Sequence, residues 1–452
     1  LCFISVHIKA QSVCHLNGKK IIDSTGAQVA LHGINIGGWL VTEDWMCGMT
    51  DTINGGRSAI RQLELTFGDS LAAQLMKVWQ AHWITAGDMD TIQQMGFNLI
   101  RVPFGWRNLQ YQNQQWVLDS AGNIDFSAFD WIVQQAAQRG IYVLFDFHVW
   151  LNQEIAYNSI SDSPSTILST ATIWHAVAAH FYGNPTVIGY DLLNEPTGSY
   201  DDYVMQTMYD SVRSADPDHL VSMEWTQADT ARWHGVIYQD HFYGMNYASL
   251  DSNEMYFEAH YRPEIKTDDS LDVPFYVGET HTDLSDSAMI WSLNQYCLDD
   301  ISWSPWTYKT INEWGWCLIS LYPNNVTTNL LTDPYDTIMQ KWSNVSNPAN
   351  WYEMPSNKSI WGNAALCVNM VSGINEVSAN GKPLVYPNPF QSAIEIKATG
   401  TFSYQLTDIC GREMLTGSAD DNIMIGEGLR AGVYLVHVVQ GQSSFVFKVV
   451  KM

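Results

Sequence analysis

Ten consecutive residues constrain this chain more than any others: Val187-Ile188-Gly189-Tyr190-Asp191-Leu192-Leu193-Asn194-Glu195-Pro196. An apolar run ending in Asn-Glu-Pro predicts a buried strand that delivers one carboxylate to its C-terminal tip. Proline has no N–H for the next ladder bond and stops the strand there. In a barrel of parallel strands, side chains at such tips line the functional mouth. For the dipeptide alone the ordinary reading is an Asn-Glu turn after a core strand, so its weight rests on partners elsewhere in the chain.

Seven further apolar runs read as strands: Val29–Ile36, Phe97–Pro103, Ile141–His148, His219–Trp225, Val236–Tyr243, Pro274–Glu279 and Trp303–Thr310, with Val187–Glu195 fourth in order. Helical spacing fills residues 70–95 (Leu71, Leu75, Val78, Trp79, then Met89, Ile92 and Met95) and recurs near 127–139 and 170–182. Strands alternating with helices in this way predict an α/β fold, a (β/α)8 TIM barrel, over residues 12–371. Turn signals at Asn17-Gly18 and Ser24-Thr25-Gly26 predict a small hairpin ahead of it. Beyond a polar linker, 372–383, short alternating runs follow: Ala393–Ala398, Phe402–Thr407, Asn422–Ile425, Val433–Val439 and Ser444–Val450. They predict a separate all-β sandwich domain over 384–452.

The predicted strand tips carry a set of polar groups. Strand two ends Ile100-Arg101-Val102-Pro103, strand three Asp146-Phe147-His148, strand four Asn194-Glu195, strand six His241-Phe242-Tyr243 and strand seven Val277-Gly278-Glu279; Trp306 falls in strand eight. Buried polar groups are costly unless paired, so a ring of them is informative where one is not. Glu195 and Glu279 form a pair of the kind that cleaves glycosidic bonds, one protonating the leaving oxygen while the other attacks carbon or activates water. Arg101 beside one of them would keep it ionised, and the other needs a raised pKa to hold its proton. A buried structural Arg–Glu pair is the competing interpretation.

Other chemistries fit less well. His148, His241 and His281 with Glu279 lack metal-motif spacing, so no metal or cofactor is expected. No Gly-x-Ser-x-Gly elbow is present, and Asn54-Gly55-Gly56 is only a turn. Trp314 and Trp316 read as core more readily than as sugar platforms. The net charge of -25, from 47 acidic and 22 basic residues, opposes nucleic acid and anionic membranes while tolerating a neutral substrate. Residues 1–11 read as the remnant of a secretory signal peptide cleaved near Ala10-Gln11. The widely spaced cysteines match neither a zinc motif nor a dense disulfide scaffold.

The motifs resemble glycoside hydrolase family 5, retaining β-glycanases that include cellulases, over roughly residues 15–345. The resemblance rests on Leu31-His32-Gly33-Ile34-Asn35-Ile36-Gly37-Gly38-Trp39-Leu40, on Gly96-Phe97-Asn98-Leu99-Ile100-Arg101-Val102-Pro103 and on the ordered tips. It implies Glu195 as acid/base and Glu279 as nucleophile, with Asn194 on the sugar 2-hydroxyl. Arg101 and Tyr243 would orient Glu279, His148 and His241 would position the site, and Trp306 would be the stacking floor. The opening is most similar to exo-β-1,3-glucanases, which implies that Glu43 binds hydroxyls of the terminal sugar, with Trp39 as a substrate-binding or supporting residue. Val149-Trp150-Leu151-Asn152-Gln153-Glu154 departs from the glycine-rich loop of those enzymes.

The tail is similar to the C-terminal sorting domain of the type IX secretion system. Its motifs are Val385-Tyr386-Pro387-Asn388-Pro389-Phe390, Leu406-Thr407-Asp408-Ile409-Cys410-Gly411-Arg412, Gly432-Val433-Tyr434-Leu435-Val436 and Lys448-Val449-Val450-Lys451. Together the resemblances imply a monomeric, secreted β-glucan hydrolase at the outer surface of a Bacteroidetes-type bacterium, working by double displacement. A β-mannanase or xyloglucanase, or a non-catalytic surface glycan-binding protein, are the alternatives.

Overall fold

The computed structural model describes residues 11–50, 59–150, 158–159, 164–197, 202–224, 228–244, 250–281, 286–313, 315–365, 383–386, 390, 392–408, 412–430, 432–441 and 443–451. The signal remnant but for Gln11, the loop from Leu151 to Glu154, Trp225, Trp314 and nearly all of the linker therefore lie outside the described residues. Contacts divide the chain into two units, Leu1–Ala365 and Leu366–Met452.

The first unit is an eight-stranded parallel barrel. Its strands are β1 (Gly33–Asn35), β2 (Leu99–Gly105), β3 (Tyr142–Val149), β4 (Val187–Asp191), β5 (Leu220–Glu224), β6 (Val236–Tyr243), β7 (Phe275–His281) and β8 (Ser302–Pro305). They pair in chain order, and a parallel bridge between His32 and Trp303 brings the ends of the sheet together. Helices α1 (Asp69–Trp83), α2 (Ala86–Gln94), α3 (Ser127–Ala137) and α4 (Pro164–Phe181) pack outside the first strands. The helical spacing over 70–95 is thus cut in two. Thr85 caps α2 in a capping box with Asp88, whose carboxylate accepts the Thr85 N–H at 2.8 Å.

Period two decides what each strand presents. In β2, Ile100, Val102 and Phe104 join the large core facing the helices, while Leu99 and Arg101 point into the barrel. Leu99, Tyr142, Leu144, Ile188, Leu220, Ile237 and Tyr276 fill the lower barrel together with Cys14, Ile21 and Leu31. The hairpin pairing His15–Asn17 with Lys20–Ile22 therefore seals the N-terminal end. The polar side chains gather at the other end.

Of the differences from the expected strand limits, two bear on the site. Strand four stops at Asp191, and Glu195 follows with φ 39°, a left-handed conformation that no strand continues. Strand eight stops at Pro305. Lys309–Ile311 instead pairs with Ile319–Leu321 in a separate three-stranded sheet. Cys14, Cys47 and Cys317 are buried and not disulfide-bonded, whereas Cys297 is.

The second unit is antiparallel, with strands β9 (Leu384–Tyr386), β10 (Ile394–Asp408), β11 (Glu413–Ile425), β12 (Gly432–Gln440) and β13 (Ser443–Lys451). Where the sequence suggests several short strands, β10 and β11 form one long hairpin. The polar stretch 413–421 joins it through backbone pairing, which an apolar pattern cannot signal. Phe390, Ile394, Ile396, Phe402, Leu406, Tyr434, Val436 and Val438 form its core at alternating positions.

Candidate active site

Arg101 stands at the centre of the polar end, fully buried. Its Nε donates to Asp191 Oδ2 at 2.9 Å and its Nη1 to Glu279 Oε1 at 2.7 Å and Asn35 Oδ1 at 3.1 Å. Its Nη2 donates to Asn194 Oδ1 at 2.9 Å and lies 3.1 Å from Asp146 Oδ1. Burial would lower its pKa, but Asp146, Asp191 and Glu279 outweigh that and raise it well above the ordinary value. A buried guanidinium with this many acceptors is a rigid cation on which the rest is hung.

Glu279 is held on both oxygens, by Arg101 on Oε1 and by the Tyr243 hydroxyl on Oε2. Burial first, then Glu279, pushes the Tyr243 phenol well above its usual value, so it stays a donor. Strict alternation from Val277, which faces the outer core, would turn Glu279 outward too. Against β6, Asp240 pairs with Val277 while His241 pairs with Glu279, so β7 carries one extra residue there. This bulge turns Glu279 inward. The extra residue is Gly278, where a Cβ would strike the Gln239 side chain and the His241 ring.

His241 follows the regular alternation of β6. Its Nδ1 lies 2.9 Å from Glu195 Oε1 and 3.6 Å from both Glu224 Oε1 and Glu279 Oε2. Burial alone would lower its pKa. The carboxylates of Glu224, Glu279 and Glu195 outweigh burial and raise it to about 10. Burial would likewise raise Glu195, but the hydrogen bond and charge of His241 hold it below the ordinary carboxylate range. That reverses the expectation that the second carboxylate has a raised pKa in the free site. The cause is an imidazolium at hydrogen-bond distance, which spacing along the chain could not reveal.

The remaining expected residues divide. His148 Nδ1 meets Asp146 Oδ2 at 2.6 Å, and its ring stacks on Trp306 at 5.3 Å and 9°. Trp306 is nearly buried, and Gly37 leaves room for its ring, where a Cβ would touch it. Glu43 joins them, with Oε1 3.9 Å from His148 Nε2 and Oε2 accepting from Trp45 Nε1 at 2.8 Å. Burial raises its pKa. Trp39 does not join the site. Its indole donates to the Gln80 carbonyl at 2.9 Å and packs on Trp131, in the core against the helices. Trp316, expected in the core, is half-buried, stacked on His281 and next to Tyr243 and Trp45.

Several participants were not singled out from sequence: Asn35, Asp146, Asp191, Glu224 and Gln239. Asp191 is reached by Arg101 and by the Gln239 side-chain amide, and burial raises its pKa to about 6. A one-residue shift against β3 at Ile188 turns it inward. Glu224, fully buried, accepts the Glu195 backbone N–H on Oε2 at 2.6 Å. Period two from Leu220 through Ser222 to Glu224 was a usable signal for it.

Donor atoms of Glu195, His241 and Glu279 lie within 4.8 Å of one another, close enough on distance alone for a metal. Their chemistry opposes one. Arg101 lies 2.7 Å from Glu279, and the Nδ1 proton of His241 is directed to Glu195. What the arrangement offers is two facing carboxylates in contrasting surroundings.

Comparison with known proteins fits this chemistry. Residues 62–319 match the family model for cellulase (glycosyl hydrolase family 5), and residues 384–452 match the secretion system C-terminal sorting domain. The second match marks the chain for type IX secretion to the outer surface in Bacteroidetes. A beta-xylosidase of Phanerodontia chrysosporium is 24% identical over 68% of this chain and 72% of its own length. A probable glucan 1,3-beta-glucosidase A of Neosartorya fischeri is 29% identical over 49% of this chain and 58% of its own length. The chain thus spans less than two thirds of that relative. Among solved structures, the Pseudomonas stutzeri endoglucanase Cel5A aligns with a TM-score of 0.47 at 18% identity, covering 71% of this chain and 96% of that one.

Proposed function

Because the chain belongs to glycosyl hydrolase family 5, we propose that it is a retaining β-glycosidase in which Glu279 is the nucleophile and Glu195 the acid/base. The observation that carries the reading is the approach of Glu195 and Glu279 oxygens within 4.8 Å. Retaining enzymes hold their carboxyl groups about 5–5.5 Å apart, and inverting ones about 6.5–9.5 Å.

Glu279 attacks the anomeric carbon and the glycosidic C–O bond breaks, with the Glu195 proton passing to the departing oxygen. Glu195, now ionised, takes a proton from water as that water attacks the glycosyl ester and frees Glu279. Arg101 and Tyr243 keep Glu279 aimed for the first step. Imidazolium at His241 favours the ionised Glu195 needed in the second step. In the first, a sugar covering the 19% exposed Glu195 side chain removes its water and raises its proton affinity. Asn194, fixed by Arg101, faces the 2-hydroxyl, and Trp306 with His148 forms the floor.

The substrate class proposed is a β-glucan with β-1,3 or β-1,4 bonds, supported by the glucosidase relatives and by Glu43, which would take hydroxyls of the terminal sugar. Mannan and xyloglucan are the alternatives within the family. A purely glycan-binding role is disfavoured, because binding does not need a buried carboxylate pair around Arg101. In the same proposal residues 12–371 act alone as the catalytic monomer and the tail from 384 is removed on export. Turnover on laminarin, lichenan, carboxymethylcellulose, mannan and xyloglucan, each run beside Glu279→Ala, tests the reading. Hydrolysis unchanged in that variant would end it.

A further inference from the structure

Glu224 takes no part in the chemistry above, yet it is a fully buried acid at the tip of β5, directly behind Glu195. Its Oε2 accepts the Glu195 N–H at 2.6 Å, and Glu195 is the residue whose φ of 39° departs from strand geometry. A non-glycine residue in that region is strained and persists where its surroundings hold it. The other oxygen, Oε1, has no hydrogen-bond partner among the described residues and faces His241 Nδ1 at 3.6 Å. That nitrogen is the atom that binds the Glu195 carboxylate.

We propose that Glu224 is a positioning residue for the acid/base, its two oxygens gripping Glu195 at the backbone and, through His241, at the carboxylate. The proposal rests on the assignment of Glu195 as acid/base. One neighbour donates its backbone N–H, while the other is a cationic ring nitrogen whose proton goes to Glu195 and which faces Oε1 by charge alone, and only a carboxyl offers an oxygen to each. A glutamine has one oxygen and one NH2. In Glu224→Gln, either the Glu195 N–H or His241 must face an amide donor, so the acid is displaced while the shape of the core is kept. A buried carboxyl is costly to retain in the core, and burial pushes the Glu224 pKa well above its usual value. Simple packing would not require an acid here.

The test compares kcat/KM of wild type, Glu224→Gln and Glu279→Ala on a series of aryl β-glycosides of the preferred sugar, from dinitrophenyl to unsubstituted phenyl. Good leaving groups need no proton, and poor ones need the acid. Acid catalysis contributes about 10²–10⁴-fold, so Glu224→Gln should lose about tenfold or more on the phenyl glycoside and less than about threefold on the dinitrophenyl one. Equal losses on both substrates, or none, would overturn the proposal, because a merely structural defect does not sense the leaving group. Glu224→Ala is expected to melt lower, which is why the isosteric variant carries the test. Glu279→Ala separates the two readings. If it abolishes turnover while Glu224→Gln shows a flat profile, only the role of Glu224 falls. If it leaves turnover intact, the glycosidase assignment and this inference fall together.

Discussion

His241 Nδ1 lies 2.9 Å from Glu195 Oε1, so the imidazole sets the charge of that carboxylate directly. The same nitrogen is 3.6 Å from Glu279, which makes His241 the bridge between the two acids. Two otherwise similar glutamates are thereby placed in contrasting fields, Glu279 under Arg101 and Tyr243, and Glu195 under His241.

That bridge has a pH signature. The folded pKa of His241 is raised to about 10 from an ordinary 6.5. A raised pKa contributes stability that is complete below the unfolded value and is lost as pH climbs through the folded one. The stability difference between wild type and His241→Gln should therefore be largest near pH 6 and shrink steadily towards pH 10. Urea titrations at unit steps across that range check it. A constant difference would mean that the imidazole is neutral throughout.

Arg101 should matter to stability as much as to turnover. Arg101→Met leaves Asp146, Asp191 and Glu279 buried without their shared cation. Breaking a buried ion pair costs about 3–5 kcal/mol, and denaturant unfolding should show a loss of that order. Glu279→Ala should unfold much nearer to wild type, because Arg101 still has two aspartates.

The short gap between the acids predicts retention at the anomeric carbon. Proton NMR of the first products, taken before mutarotation, should show the β-anomer. Initial formation of the α-anomer would require water where Glu279 stands and would exclude a glycosyl ester.

Glu43 tests the terminal-sugar contact. Hydrogen bonds to a charged group are worth about 1.5–3 kcal/mol, so Glu43→Ala should reduce kcat/KM on the best oligosaccharide by about 10- to 100-fold. Its melting temperature should stay close to wild type, since the side chain is 19% exposed. An unchanged kcat/KM would move the sugar contact elsewhere.

Much of this was legible in the chain. The apolar runs marked the eight strands, and the polar groups at their tips singled out Arg101, His148, His241 and Tyr243. Period-two alternation through Leu220 and Ser222 of β5 would also have found Glu224. Trp39 came in with the motif that carries the family resemblance, whereas its indole donates to the Gln80 carbonyl in the core against the helices.

What the sequence determined by itself is local: strand periods, helix stops, residue chemistry and the order in which polar tips arrive. Tertiary structure alone decided the inward turn of Glu279 and Asp191, the left-handed φ of Glu195 and its depressed pKa. Each of these depends on a bulge registered against a neighbouring strand or on a charge brought close by closure of the barrel. Such terms arise between residues distant along the chain and fall off within a few ångströms, so no pattern along the chain encodes them.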